Sequence, residues 1–317
     1  MEKPYVVGMD MGGTNTVFGI VDARGNVISK SAIKTGTHAD VNLYINDVYN
    51  ELIKLIDAVG GVSKIKGIGV GAPNGNYYTG NIELAPNLPW KGIIPFAKLM
   101  SDKFSIPTAL TNDANAAAVG EMTYGAALGM KNFIMITLGT GVGSGIVIDG
   151  KVVYGHDGFA GELGHVTVVK NGRKCGCGRL GCLETYASAS GVARTAREIL
   201  ETTKKDSLLR NIPIDDITSK DVFDAAVDGD LVAKEIFQFT GEILGESFSN
   251  FVPFSAPEAI VLFGGLAKAG DMILNPIVES MEKNQLNLWK GKVKVVFSDL
   301  KEADAAVLGA SALAWEL

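Results

Sequence analysis

The sequence predicts an α/β protein of two related domains that face each other across a cleft. Three observations carry this. Short apolar strand patterns alternate with helical ones along the chain. The series strand, Gly/Thr turn, strand, Asp-Gly-type turn, strand occurs over the first 30 residues and again over 132–153, as an internal duplication would leave it. The chain of 317 residues is also long enough for two domains.

Residues 5–11 read as a buried strand, 12–15 (Gly-Gly-Thr-Asn) as a tight turn and 16–21 as a second strand, with Asp22–Gly25 turning into a third. Val41, Ile45, Val48, Leu52, Ile56 and Val59 step by three or four, the period of a helix with one apolar face. A strand follows at 65–71, a helical pattern at 93–104, a strand at 108–112 and a small-residue helix opened by Asp113. The second half opens with a strand at 132–138, the turn Gly139-Thr140-Gly141, and strands at 145–148 and 152–153 around Asp149-Gly150. Helices dominate 188–251. A strand at 259–263 ends in Gly264-Gly265, then come a helix at 270–284, a strand at 292–297 and a last helix at 303–315.

The bulk composition excludes several functions. A formal net charge of −6 argues against a nucleic-acid surface, which needs a basic stripe. Hydrophobic residues at 47% with charged residues at 20% are those of a globular enzyme. No apolar run approaches the roughly 20 residues of a membrane span, and the start has no signal-peptide pattern, so a cytoplasmic protein with no membrane partner is expected.

Three Gly-rich strand ends are candidates for one nucleotide. The first, Asp10-Met-Gly12-Gly13-Thr14, lets backbone N–H groups approach an anion, offers a Thr hydroxyl, and places Asp10 to hold Mg²⁺ through water; an ordinary hairpin is the alternative. The second is Gly139-Thr140-Gly141 at the equivalent place in the second half, and the third is Gly264-Gly265. There is no P-loop. Gly67-x-Gly69-x-x-Ala72 mimics a dinucleotide fingerprint, but Pro73-Asn74-Gly75 follows where a helix should open. Asp113, in Thr111-Asn112-Asp113, stands at a strand-to-helix junction, where a carboxylate serves either as general base for a hydroxyl or as a helix N-cap.

The most specific pattern is Glu162-Leu-Gly-His165 followed by Cys175-Gly-Cys177-Gly-Arg-Leu-Gly-Cys182-Leu-Glu184. Three thiolates and one imidazole make a closed tetrahedral shell, the pattern of structural zinc, and the intervening glycines allow the turns that aim the sulfurs inward. An odd count of clustered cysteines argues against a disulfide framework. His38 and His156 lack such company and read as surface or packing residues.

Together these motifs resemble those of the ROK family of sugar kinases and sugar-responsive repressors, over nearly the whole chain. The resemblance implies a two-lobed, actin-like fold of duplicated ribonuclease H type, with a smaller lobe of 1–114 plus 304–317 and a larger one of 115–303 that carries the zinc loop 165–182. It implies lobes that close on hexose and ATP, a homodimer or higher homo-oligomer, and ATP-dependent phosphorylation of a free hexose. Glucose comes first; N-acetylmannosamine, mannose, allose or fructose is the alternative, and a non-catalytic sugar-sensing regulator a further one. By resemblance, Asn87, Asn112, Asp113, Glu162, His165 and Glu184 contact the sugar, Asp113 is the catalytic base, and the turns at 12–14, 139–141 and 264–265 bind ATP with its Mg²⁺. The zinc loop is expected to fix Glu162, Glu184 and the free side of His165 toward the sugar. The nucleotide turns lie elsewhere in sequence and are expected to depend less on the metal. The family often has Gly where this chain has Asn74. The repressors carry a DNA-binding segment ahead of the first motif, which begins here at residue 10.

Overall fold

The computed structural model describes residues 3–317, apart from the side chains of Glu302 and Ala303. Its strands are β1 (Tyr5–Met11), β2 (Asn15–Asp22), β3 (Val27–Lys34), β4 (Ile65–Gly71), β5 (Ile82–Glu83), β6 (Ile93–Ile94), β7 (Thr108–Thr111), β8 (Phe133–Leu138), β9 (Val142–Ile148), β10 (Lys151–Val152), β11 (Ala259–Phe263) and β12 (Lys294–Phe297). Its α-helices are α1 (Val41–Ala58), α2 (Phe96–Phe104), α3 (Asp113–Tyr124), α4 (Glu184–Ala187), α5 (Ala189–Thr202), α6 (Ser219–Val227), α7 (Leu231–Ser255), α8 (Asp271–Asn284) and α9 (Glu302–Ala314). The chain divides into two compact units. The first holds the described residues up to Met130, Gly145–Gly161 and Ser298–Leu317; the second holds Lys131–Ser144 and Glu162–Phe297.

In the first unit a five-stranded sheet has the order β3-β2-β1-β4-β7. The hairpin strands pair antiparallel, while β1, β4 and β7 run parallel and so have their C-terminal ends at one edge. Asp40 caps α1 by accepting from the Asn42 backbone N–H, and the helix buries Tyr44, Ile45, Val48, Leu52 and Ile56, the stripe its sequence period predicts. The Tyr44 hydroxyl enters the core only because Thr16 Oγ1 meets it at 2.6 Å and is itself paired with Thr35. Helix α9 lies against β1 and β4 so closely that only glycine fits beneath it. A Cβ on Gly69 would stand 1.9 Å from the Ala310 carbonyl oxygen, and one on Gly8 2.0 Å from that of Val307.

The second sheet has the order β10-β9-β8-β11-β12, with β8, β11 and β12 parallel. Strand β9 starts in the second unit and belongs to the first from Gly145 onward. The core of the second unit is one apolar cluster that joins Ile134, Ile136 and Leu138 of β8 to Phe237, Leu244 and Phe248 of α7 and Ile277 of α8. None of the described helices is long and apolar enough to cross a membrane.

Some elements differ from their expected bounds. The helix expected at 93–104 starts at Phe96, and Ile93–Ile94 pairs instead with β5, because Pro95 disfavours helical geometry in the residue before it. The strand expected at 145–148 begins at Val142, since the pairing with β8 continues down to the glycine turn. The helical stretch 188–251 is divided into α5, two short 3₁₀ turns, α6 and α7.

Gly69→Ala should therefore destabilise the protein by about 1–3 kcal/mol, the usual cost of overpacking a closed site. Urea unfolding measures it, and an unchanged midpoint would mean that α9 does not approach the sheet this closely.

Candidate functional site

In the first unit the sheet register builds a carboxylate pair. Asp10 on β1 is opposite Gly71 on β4, and Gly71 is opposite Thr111 on β7. The chain then passes through Asn112 to Asp113. Gly71 has no side chain to separate these groups. A Cβ there would lie 3.5 Å from both Asp10 Oδ1 and the Asp113 Cα. Of the two readings of Asp113, the N-cap role falls to its neighbour: Asn112 is the cap residue of α3, its Oδ1 accepting from the Ala114 backbone N–H at 2.9 Å. Asp113 is the first helical residue. One of its oxygens also accepts from Ala114 N–H, and the side chain is open to solvent.

Crowding by protein atoms removes much of the water around both carboxyls, which raises both pKa values. Asp10 is pushed up to about 7, first by this loss of hydration and then by the Asp113 charge. Asp113 is raised by the same loss of hydration, against which its backbone hydrogen bond to Ala114 works.

The Gly12–Thr14 turn joins β1 to β2, closed by Gly12 N–H donating to Asn15 O. Asn87 is exposed beside it, and a Cβ on Gly13 would come 2.9 Å from the Asn87 carbonyl oxygen. Asn74 has φ of +51°, a left-handed conformation. Asn is the side chain that best tolerates that region, and its amide donates to the Glu83 carbonyl at 3.0 Å. The loop is thus held in place, with Gly75 packed onto the Thr111 carbonyl.

In the second unit, the turn after β8 carries Gly139, Thr140 and Gly141. Gly264 abuts the end of β8, where a Cβ would lie 2.6 Å from the Leu138 carbonyl oxygen. A cavity of about 470 Å³ opens here, lined by Gly139, Thr140 and Gly265 together with Leu266, Phe223 and Lys220. Phe223 and Lys220 escaped the sequence reading because α6 carries no motif, and only the fold brings it to these glycines.

The four predicted metal ligands converge. One ligand atom each from His165, Cys175, Cys177 and Cys182 lies within 4.8 Å of all the others. Cys177 Sγ and Cys182 Sγ are 3.7 Å apart, and Cys175 Sγ and His165 Nδ1 are also 3.7 Å apart. A disulfide would need about 2.05 Å, whereas a tetrahedron with Zn–S near 2.3 Å has edges of about 3.8 Å. The donor set is consistent with a structural zinc. Left-handed Gly178 and Gly181 turn the loop, and a Cβ on Gly181 would lie 1.8 Å from the Val169 carbonyl oxygen.

Arg173, two residues ahead of Cys175, also escaped the sequence reading because a lone arginine gives no signal. Its buried guanidinium bonds Glu198, Thr195 and the Thr185 carbonyl and lies 4.4 Å from the Tyr186 ring centre, tying the loop to α4 and α5. Glu162 is exposed at the start of the turn 162–165, whose Leu163 N–H donates to Ser144 Oγ. Glu184 begins α4 with one oxygen 3.7 Å from Cys175 Sγ and the other accepting from Val142 N–H at 3.1 Å.

The sequence profile of the ROK family matches residues 6–316. A glucokinase of Halalkalibacterium halodurans is 38% identical over 286 residues, covering 89% of this chain and 86% of that protein. A xylose repressor of Caldicellulosiruptor bescii is 28% identical over 310 residues, covering 97% of this chain and 77% of the repressor. A ROK family glucokinase from Streptomyces griseus, solved in complex with glucose and AMPPNP, matches with a TM-score of 0.82 at 30% identity, covering 99% of this chain and all 100% of the other. The expected α/β fold is borne out by this match.

The raised pKa of Asp10 sets a pH dependence. The unfolded carboxyl titrates near 3.8 and the folded one at about 7, so between those values the folded state holds a proton that the unfolded state has released. Stability from this group therefore falls as pH rises through that window. Without nucleotide or Mg²⁺, Asp10→Asn should gain about 1–2 kcal/mol at pH 8, less than the roughly 1.4 kcal/mol per unit would give because some hydration remains. The gain should vanish near pH 4. Unfolding curves at the two pH values measure this, and a gain independent of pH would contradict it.

Proposed function

The chain belongs to the ROK family, and from that premise we propose that it transfers the γ-phosphoryl group of ATP to a free hexose, glucose first. The observation that carries this reading is Asp113, an accessible carboxylate with a raised pKa, at a strand end and next to Asp10. Greater similarity to a glucokinase than to a xylose repressor favours a kinase over a sugar-sensing regulator. Another hexose, namely N-acetylmannosamine, mannose, allose or fructose, is the alternative substrate.

Asp113 accepts the proton of the sugar 6-hydroxyl as that oxygen attacks the γ-phosphorus. A new O–P bond forms, the bond to the β-phosphate oxygen breaks, and ADP leaves. Phosphoryl transfer demands mainly positioning and charge stabilisation, so the base matters more for rate than for binding. A raised pKa makes Asp113 a stronger base than an ordinary aspartate. Asn87, Asn112, Glu162, His165 and Glu184 hold the sugar hydroxyls, as the family resemblance implies. Asp10 is placed to hold Mg²⁺ through water, and the ion neutralises phosphate charge when bound. The turns at Gly12–Thr14, Gly139–Gly141 and Gly264–Gly265 serve the nucleotide, with the cavity beside Phe223 and Leu266 offering an apolar seat for its base. His165 Nδ1 and the three cysteine sulfurs would hold zinc as a complete set of four ligands, so the metal would serve a structural role. It leaves the Nε2 side of His165 for the sugar.

Asp113→Asn should lower kcat about 10²–10⁴-fold while glucose binding by calorimetry changes little. In the parent enzyme, the acid limb of kcat/KM should lie above the ordinary aspartate value. Near-parental turnover in the variant would remove Asp113 from the mechanism. Cys177→Ser should lose zinc by elemental analysis and most glucose affinity. A folded, zinc-free variant with unchanged glucose affinity would contradict the role given to the loop.

A further inference from the structure

The glycine turn after β8 does not stand alone. Each of its residues is held by the segment that leaves the cysteine cluster. Gly139 O accepts from Ala189 N–H at 2.8 Å, and Thr140 O accepts from the Ser190 hydroxyl at 2.9 Å. Gly141 lies against Glu184, where a Cβ would stand 2.3 Å from Oε2. Val142 N–H donates to that same oxygen. The holding segment is stiffened from within, since the Ser188 hydroxyl donates to Glu184 O at 2.7 Å and meets the Ser190 hydroxyl at 2.9 Å.

The other end of this segment is fixed by the cluster. Glu184 follows Cys182 by two residues, and its Oε1 lies 3.7 Å from Cys175 Sγ. Leu183 between them is fully buried, with its N–H on the Val166 carbonyl. The turn 162–165 presses on the same place, because a Cβ on Gly164 would lie 2.0 Å from Val142 O. The sequence separates cluster and turn by more than 20 residues, which is why the turn is expected from sequence to depend less on the metal. The hydrogen bonds put them one short strut apart.

We propose that Glu184–Ser190 is a positioning strut through which the His165/Cys175/Cys177/Cys182 cluster sets the shape of the turn 139–142, so that metal in the cluster governs nucleotide affinity as well as sugar affinity. This rests on the reading of that turn as part of the nucleotide site. The physical cause is preorganisation. Three of the four residues in the turn make main-chain hydrogen bonds to the strut, and a turn left to wander must be ordered again at each binding event. Ser190 is the separable positioning residue, because its hydroxyl touches the turn and Ser188 but none of the four cluster residues.

The experiment uses the full chain in four forms: zinc-loaded, stripped by a chelator, Ser190→Ala and Ser190→Thr. AMPPNP and glucose affinities are measured by calorimetry, zinc by elemental analysis, and amide exchange is followed at residues 139–142. Ser190→Ala should weaken AMPPNP binding about three- to tenfold, the loss of one hydrogen bond, with zinc content and glucose affinity unchanged. Ser190→Thr, which keeps the hydroxyl, should restore it. The stripped protein should exchange faster at Gly139–Val142 and bind AMPPNP more weakly. Parental AMPPNP affinity in Ser190→Ala, or unchanged protection of the turn after stripping, overturns the proposal. If stripping unfolds the chain, the Ser190 variants decide alone. If the zinc-loaded protein binds no AMPPNP, the nucleotide reading fails, while the exchange rates of the turn still decide whether the strut transmits the state of the cluster.

Discussion

Asp10 and Asp113 are like charges that the register of three parallel strands forces together, and the chemistry of the first unit follows from that constraint. The sheet offers no room to relax it. Gly71 has no side chain to part the two groups, and two residues before Asp10 and Gly71 α9 closes onto Gly8 and Gly69, which accept no side chain. Lost hydration raises both carboxyls, and the Asp113 charge raises Asp10 further, to about 7. Under the proposed function, carboxyls of raised pKa would suit phosphoryl transfer, in which charge must be neutralised and a hydroxyl proton accepted. The destabilisation is local and is supported by a rigid sheet whose inner strands are almost wholly buried.

The second unit meets a different demand. Its cysteine loop has little apolar surface with which to fold, so the order of the loop comes from the tight turns at Gly178 and Gly181, the buried Arg173 clamp and a ligand shell of tetrahedral dimensions. That order is handed on in two directions. One leads to Glu162 and the free side of His165; the other runs through Glu184 to the glycine turn. Glu184 is tied to the turn through Oε2, which accepts from the Val142 backbone N–H, while Oε1 lies 3.7 Å from Cys175 Sγ.

Much of this was legible in the sequence, for identifiable reasons. Glycine patterns and clustered cysteines are visible because a close backbone approach or a metal shell tolerates few other residues. The helix period of α1 and the duplicated strand openings gave the architecture. Asn74 could be read only as a departure, since its left-handed conformation and its bond to Glu83 belong to the folded loop. At Asp113 the sequence could not say which residue caps the helix, because Asn112 and Asp113 are neighbours, and in the fold Asn112 is the cap residue. Phe223, Lys220 and Arg173 were invisible, since aromatic and basic residues at such positions are common and only tertiary packing gives them a role. The link from Glu184 to the turn was obscured by sequence distance, which measures loop length and says nothing about hydrogen bonds made on folding.

Direct observation of the transferred phosphorus tests the central claim most plainly. The purified protein, with Mg²⁺, ATP and glucose, is followed by phosphorus NMR. The account predicts that the γ-phosphate signal of ATP is replaced by that of a sugar 6-phosphate, one for each ADP formed, and that ATP persists when the sugar is left out. ATP that persists with glucose and with every other hexose named above, or is lost only to inorganic phosphate, would contradict it.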